Sequence, residues 1–320
     1  MERSGFVESR HAGSAVVLSP EGEILASYGN ISAPVLPRSS MKPLQSLACA
    51  TAGLDLTGEA LALSTASHSG TDRHVAVVRG MLQSVGLTED DLECPVAYPS
   101  DTETYAHMLR DALPQARVRM NCSGKHAAML MTCVANEWPT AGYLDPQHPL
   151  QIHTRELIER LTGEKMTITA VDGCGAPVYG MSLHGLARAL HRIGTASERS
   201  PFAMYRAAGA LVRAVRENPW AISGPGRDDA IAIETLGVFS KVGAEGVQVM
   251  VAPNGTTVAL KMLDGNPRAN AIVAATLLAH AGALTEAQVA ELESALNLAV
   301  LGAGQPVGRI RVTAAVEPAA

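Results

Sequence analysis

An α/β fold is predicted for this chain: an antiparallel sheet formed from both chain termini, covered by helices, with an inserted, mainly helical subdomain. Three observations predict it. Short β-branched or alternating runs bounded by turn residues lie near both ends. Residues from about 40 to 235 instead carry apolar side chains at helical spacing. No internal repeat, low-complexity tract or linker divides the chain, so 1–320 reads as one discontinuous unit, its sheet drawn from about 1–35 and 236–320.

In order, residues 14–19 and 23–28 read as strands around the turn Pro20-Glu21-Gly22. A buried helix follows Ser39, and 56–64 and 71–87 are helical, the latter from Val75, Val78, Met81, Leu82 and Val85. Thr88-Glu89-Asp90-Asp91 looks like a cap and first turn. Prolines 95, 99 and 114 make 94–118 irregular, and 121–131 reads as a polar knot opening an apolar helix. Further helices are expected over 150–161, 181–193 and 203–217, with a strand over 167–171 and a turn-rich stretch at 223–228. The chain then turns to β at 236–240, 247–251 and 256–263, with Pro253-Asn254-Gly255 as a hairpin turn. Two helices, 269–284 and 285–296, and a closing strand at 310–313 complete it.

Composition excludes several functions. The 320 residues are 47% hydrophobic, 18% charged and 3% aromatic, with a formal net charge of −6. That is enough chain for a real core, but there are neither the clustered Lys and Arg nor the stacking aromatics that a nucleic-acid surface needs. No apolar run reaches membrane-spanning length and no leader pattern opens the chain, so cytoplasm is the default expectation. The five cysteines are odd in number and sit in apolar or Gly-rich contexts, which favours reduced thiols over a disulfide framework.

The chemistry starts at Pro37-Arg38-Ser39-Ser40-Met41-Lys42. Positions i and i+3 share a helix face, so Lys42 is expected beside the Ser39 hydroxyl, where a partly desolvated amine can act as its base. Pro43 lacks the amide that would bond the carbonyl of Ser39, so the helix starts at Ser39 or later. Alone, this spacing is equally a helix cap followed by a solvated lysine. Four more polar loops interrupt the apolar chain: Ser67-His68-Ser69-Gly70, Cys122-Ser123-Gly124-Lys125-His126, Asp172-Gly173-Cys174-Gly175 and 223–229. Lys241-Val242-Gly243-Ala244-Glu245-Gly246 follows a late strand. The order Ser-x-x-Lys, middle polar loop, Lys-x-Gly matches serine β-lactamases and penicillin-binding proteins, although the middle motif departs from Ser-Asp-Asn. His68 and His74 read as exposed or capping, Cys49 and Cys133 as core, and Asp228 and Asp229 beside Arg227 as a surface ion pair or a loop near the site.

Arg38–Lys42, Ala66–Gly70, Asn121–His126, Val171–Pro177 and Lys241–Gly246 together resemble the rhizobial-type L-asparaginases of the asparaginase II family, over essentially the whole chain. The resemblance implies a serine β-lactamase-like fold and hydrolysis of L-asparagine to L-aspartate and ammonia. It implies two Ser-Lys pairs, Ser39 with Lys42 and Ser67 with Lys241. It implies Arg38, Asn121, His126, Asp172, Gly243, Ala244 and Glu245 as substrate contacts. Cys122, Lys125 and Cys174 match the family's zinc position, giving one Zn2+ per chain that does not activate the nucleophile. From the residues alone, these cysteines are equally small buried groups, and His126 is either a ligand by helical spacing or a hydrogen-bonding histidine. A homodimer is implied as well. A glutaminase or other small-amide hydrolase is the enzymatic alternative, and a zinc-binding interaction module is the non-enzymatic one.

Overall fold

The structure, a computed structural model, describes residues 1–313. Its main sheet has five antiparallel strands in the order Ile24–Tyr28, Gly13–Leu18, Thr257–Met262, Val247–Val251, Phe239–Gly243. Two strands from the start of the chain thus pair with three from its last third, through Val17 opposite Val258. This is the sheet from both termini that the sequence predicts. A second, four-stranded sheet also joins the two ends: Glu2–Arg3, paired with Phe6–Val7, pairs with Gln305–Arg309, which pairs with Ala299–Gly302.

Alternation in the central strands separates two cores. Val16, Leu18, Val249, Val251 and Ala259 pack with Leu186 and Leu190 of the helix Leu183–Gly194 and with the helical insert. Ala15, Val17, Met250, Val258 and Leu260 face Ile272 and Leu278 of Asn270–His280. Both faces being covered explains why these strands are apolar throughout. Within the insert, Lys42–Thr51 is buried from Lys42 to Cys49, against Ser123–Ala135 and Pro149–Thr162. Cys49 and Cys133 are core, as expected.

Several boundaries differ from the sequence reading, each for a local reason. The stretch read as irregular contains Thr102–Arg110, capped by Asp101, whose Oδ1 accepts the Thr104 amide at 2.8 Å. Only Met108 of that helix is buried, so it carries no apolar stripe to detect. Met181 and Ser182 end a strand, Pro177–Ser182, that pairs with Ile168–Val171, and the helix starts only at Leu183. Asp228–Leu236 is a helix ended by Gly237 at φ 63°, so the strand expected from 236 begins at Phe239. The closing strand expected at 310–313 is Gln305–Arg309 instead.

Candidate active site

The site forms where the edge strand Phe239–Gly243 meets the turn before the buried helix Lys42–Thr51. Arg38–Met41 is a 3₁₀ turn leading directly into Lys42–Thr51, in keeping with the limit set by Pro43. Close approach of strand and turn requires Gly243: a Cβ there would lie 2.3 Å from the Pro37 carbonyl oxygen and 3.2 Å from the Ser40 nitrogen. Arg38 adopts φ 52°, a left-handed conformation unusual for a side chain of that size. Its guanidinium is tied across the site, Nε donating to Asp172 Oδ1 at 2.6 Å.

Lys42 and Lys241, both 1% exposed, converge on one hydroxyl. Lys42 Nζ lies 2.9 Å from Ser67 Oγ and donates to the Ala66 carbonyl at 2.5 Å. Lys241 Nζ lies 3.1 Å from the same Ser67 Oγ and donates to the Val242 carbonyl at 3.0 Å. The expected separate pairs are therefore linked rather than independent, and the correction has a geometric cause. Lys42 heads the α-helix and extends inward to the Ser67 loop, whereas the half-buried Ser39 hydroxyl makes no hydrogen bond among the described residues. Burial pushes Lys241 down to about 8, with Lys42 lowering it further against the opposing pull of Asp229.

A second cluster adjoins the first. Lys125, 2% exposed, places Nζ 3.1 Å from Cys174 Sγ. The neighbouring Cys174 thiol, with the charges of Lys42 and Lys125, holds Cys122 well below its ordinary value against the effect of burial. Cys174 is correspondingly raised by Cys122 and by burial. Burial also opposes ionisation of Asp172, but Arg38, Lys125 and the Gly173 amide outweigh it and hold the carboxyl low. The Glu93 amide donates to Tyr143 Oη at 3.0 Å, and the same hydroxyl is hydrogen-bonded to His126 Nδ1 at 2.7 Å. Burial pushes His126 down to about 4.

The remaining predicted contacts are placed less centrally. Asn121 is exposed; its carbonyl accepts the His68 amide at 3.1 Å and its Oδ1 the Cys122 thiol at 3.1 Å. Ala244 and Glu245 lie exposed on the turn after the Lys241 strand, Glu245 at φ 62°. Four groups were missed or misread. His68 and His74 are buried, not exposed, although His74 does cap Asp72–Gln83 with Thr71. His68 accepts the Gly70 amide on Nδ1 and donates from Nε2 to Ser123, whose hydroxyl is committed to the Val118 carbonyl. Asp229 is no surface partner of Arg227 but is 2% exposed and 3.8 Å from Lys241 Nζ. Gln248, a lone amide in the fully buried strand Val247–Val251, donates to it, and a glutamine in such a run is the signal that could have pointed there.

The glycine of the Cys122–Lys125 motif serves packing. A Cβ at Gly124 would sit 2.5 Å from the Leu63 carbonyl oxygen, a backbone atom that cannot swing away. Gly124→Ala is expected to cost about 1–3 kcal/mol, measured as a fall in the urea midpoint at unchanged m-value. An unchanged midpoint would show that the helix shifts freely.

Two buried lysines on one serine hydroxyl, beside a helix-start serine, define a site equipped for acyl chemistry. Residues 1–312 match the family model described as L-asparaginase II, and the chain belongs to that family. Among solved structures the chain is similar to Mglu in its native form, with a TM-score of 0.46 and 13% identity over 83% of this chain and 63% of that one. It is also similar to Mglu in its glutamate form, with a TM-score of 0.47 and 12% identity over 86% and 61% of the two chains. A Bacillus glutaminase in the presence of 4.3M NaCl gives a TM-score of 0.36 and 12% identity over 85% and 91%. The chain thus spans less than two thirds of the length of the Mglu chains. No curated protein matches it significantly. No helix among the described residues is long and apolar enough to cross a membrane.

Proposed function

We propose that the protein hydrolyses L-asparagine to L-aspartate and ammonia, with Ser39 as nucleophile and Lys42, Ser67 and Lys241 as a connected proton path. The observation that carries this reading is the Ser67 hydroxyl shared by Lys42 at 2.9 Å and Lys241 at 3.1 Å. A hydroxyl between two amines can give one proton while receiving another. A proton vacancy opened at Lys241 is thereby handed to Lys42, three residues beyond Ser39, with no net change. Lys42 then takes the Ser39 proton as its oxygen attacks the carboxamide carbon. The amide nitrogen leaves as ammonia after protonation through the same path, and water hydrolyses the acyl-enzyme.

Ser39 is preferred over Ser67 as nucleophile because both amines already crowd the Ser67 oxygen, while the Ser39 hydroxyl is unencumbered. The reaction requires the Ser39 hydroxyl to come within hydrogen-bond reach of Lys42 in the substrate complex. The Arg38 guanidinium, held by Asp172, supplies positive charge for a substrate carboxylate. The test is ammonia release from asparagine and from glutamine. Asparagine is expected to have the higher kcat/KM, and a preference for glutamine would reassign the substrate.

Cys122, Cys174 and Lys125 are proposed to hold one zinc ion. Among the described residues no group of three His, Cys, Asp or Glu side chains is arranged to hold a metal, so such a site depends on the Lys125 amine. The donor set fits a tetrahedral ion with three protein ligands, provided Lys125 gives up its proton. Unmetallated, Lys125 is biased the other way, since the two sulfurs raise it although burial lowers it. The bound ion would neutralise the thiolates and tie the Asp172 loop to the helix Ser123–Ala135. Elemental analysis is expected to find one zinc per chain, lost in Cys174→Ser together with a lowered melting temperature. A metal-free protein indifferent to that substitution would remove the site.

A further inference from the structure

Asp229 has no part in the pairs and contacts assigned so far, yet no carboxylate near the site is more deeply enclosed, its side chain being 0% exposed. It is the second residue of the helix Asp228–Leu236, which the sequence hides behind the Ser-Gly-Pro-Gly-Arg turn. Its surroundings present donors to both oxygens. Oδ1 accepts the Ser240 hydroxyl at 2.7 Å and the Gln248 amide at 3.1 Å. Oδ2 accepts the Val242 backbone amide at 2.9 Å and faces Lys241 Nζ at 3.8 Å. Gln248 also donates to Ser240 Oγ at 2.9 Å, which leaves the Ser240 proton for the carboxylate. The two residues flanking Lys241 on its strand are thus both pinned to the same group. This arrangement anchors the carboxylate to the Lys241 strand, which a chance ion pair would not do.

We infer that Asp229 is a positioning residue: its carboxylate anchors the strand on either side of Lys241, orients that ammonium toward Ser67, and sets the pH at which the amine releases its proton. The inference rests on the proposed reaction for its catalytic meaning, but not for its test. The charged or titratable groups around Lys241 are Asp229 from the helix Asp228–Leu236, Lys42 from the central helix, and Cys122 from the turn before Ser123–Ala135. Of these, Asp229 and Cys122 favour the ammonium and Lys42 disfavours it. Asp229 holds the amine charged until the vacancy is needed. Without it, burial and Lys42 would leave a neutral amine over a wider pH range, with no fixed direction.

The test follows Lys241 itself by carbon-13 NMR of isotopically labelled lysine, the signal assigned with Lys241→Arg. In Asp229→Asn the titration midpoint is expected to move to lower pH by about one unit or more, the scale of removing an adjacent opposite charge. Ser240→Ala, which removes a donor but keeps the charge, is expected to leave the midpoint within about a third of a unit on that scale. A purely structural role would lower the melting temperature in both variants and move neither midpoint, and that result overturns the inference. Should Asp229→Asn fail to fold, the wild type decides. The Asp229 carboxyl signal is expected to inflect at the pH where Lys241 titrates, and its absence is equally fatal. These readouts need no turnover, so a protein inactive on asparagine would sink the proposed reaction while leaving the Asp229 assignment decidable. Where turnover is present, the rising limb of kcat/KM moves with the NMR midpoint.

Discussion

Ser39→Ala is expected to lower kcat on asparagine by about 10⁴-fold or more, the scale of losing a nucleophile rather than a helper. Nothing in the site can substitute for it without rebuilding the attack geometry, because the other hydroxyl at hand, Ser67, already receives both lysine amines. Ser67→Ala is expected to cost less, about 10²–10³-fold, in the range of general acid–base assistance. It leaves Lys42 and Lys241 without their bridge but leaves the Ser39 hydroxyl in place. The two variants also differ qualitatively. Rapid quenching of Ser67→Ala with asparagine, followed by peptide mass spectrometry, is expected to find aspartyl ester on Ser39, accumulated because deacylation is slowed. An ester on Ser67 in the wild type, or a larger loss in Ser67→Ala than in Ser39→Ala, would exchange the two roles. The folds of both variants should be unaffected, since neither hydroxyl caps a helix or fills the core.

The second large effect is on pH. Lys241 is pushed down to about 8, chiefly by burial, and the proposed path starts only when this amine has lost its proton. The sign follows directly: raising the pH through 8 increases the neutral fraction, so kcat/KM rises. Well below the midpoint each unit of acid costs about tenfold, so pH 6 is expected to give about one hundredth of the plateau value. A profile flat above pH 6, with the protein folded throughout, would exclude a lysine vacancy as the controlling event. His126, pushed down to about 4, would give no limb in this range either. Measurements at constant ionic strength from pH 5 to 10 decide the matter.

Much of the local chemistry could be read from the sequence because it is carried by spacing. Pro43 bounded the helix start, and the structure puts a 3₁₀ turn over Arg38–Met41 with the helix from Lys42. The β-branched runs at both ends marked the strands that pair as Val17 with Val258. The polar loops named from composition around Ser67, Cys122 and Asp172 converge, with Arg38 reaching Asp172 over 134 positions at 2.6 Å. Local pattern suffices for these features because a turn, a cap or an alternating strand is decided by neighbours in the chain.

What needed the tertiary structure was every statement about which side chain meets which. The i, i+3 rule placed Lys42 beside Ser39, but a long lysine side chain goes to the acceptors within its reach, and here these are Ser67 and the Ala66 carbonyl. His68 and His74 lie in a loop and first turn that look exposed in one dimension, and are buried because the helices Ser123–Ala135 and Pro219–Ser223 pack over them. Thr102–Arg110 left no trace because an exposed helix held by its cap needs no apolar stripe. Asp229 shows the division most plainly. The sequence determines that two acids follow Arg227, and its own neighbours leave open a surface pair or a loop near the site. Only the approach of the strand Phe239–Gly243, bringing Ser240, Val242 and Lys241 to one carboxylate, makes it a buried group whose charge must be answered by donors from the rest of the fold.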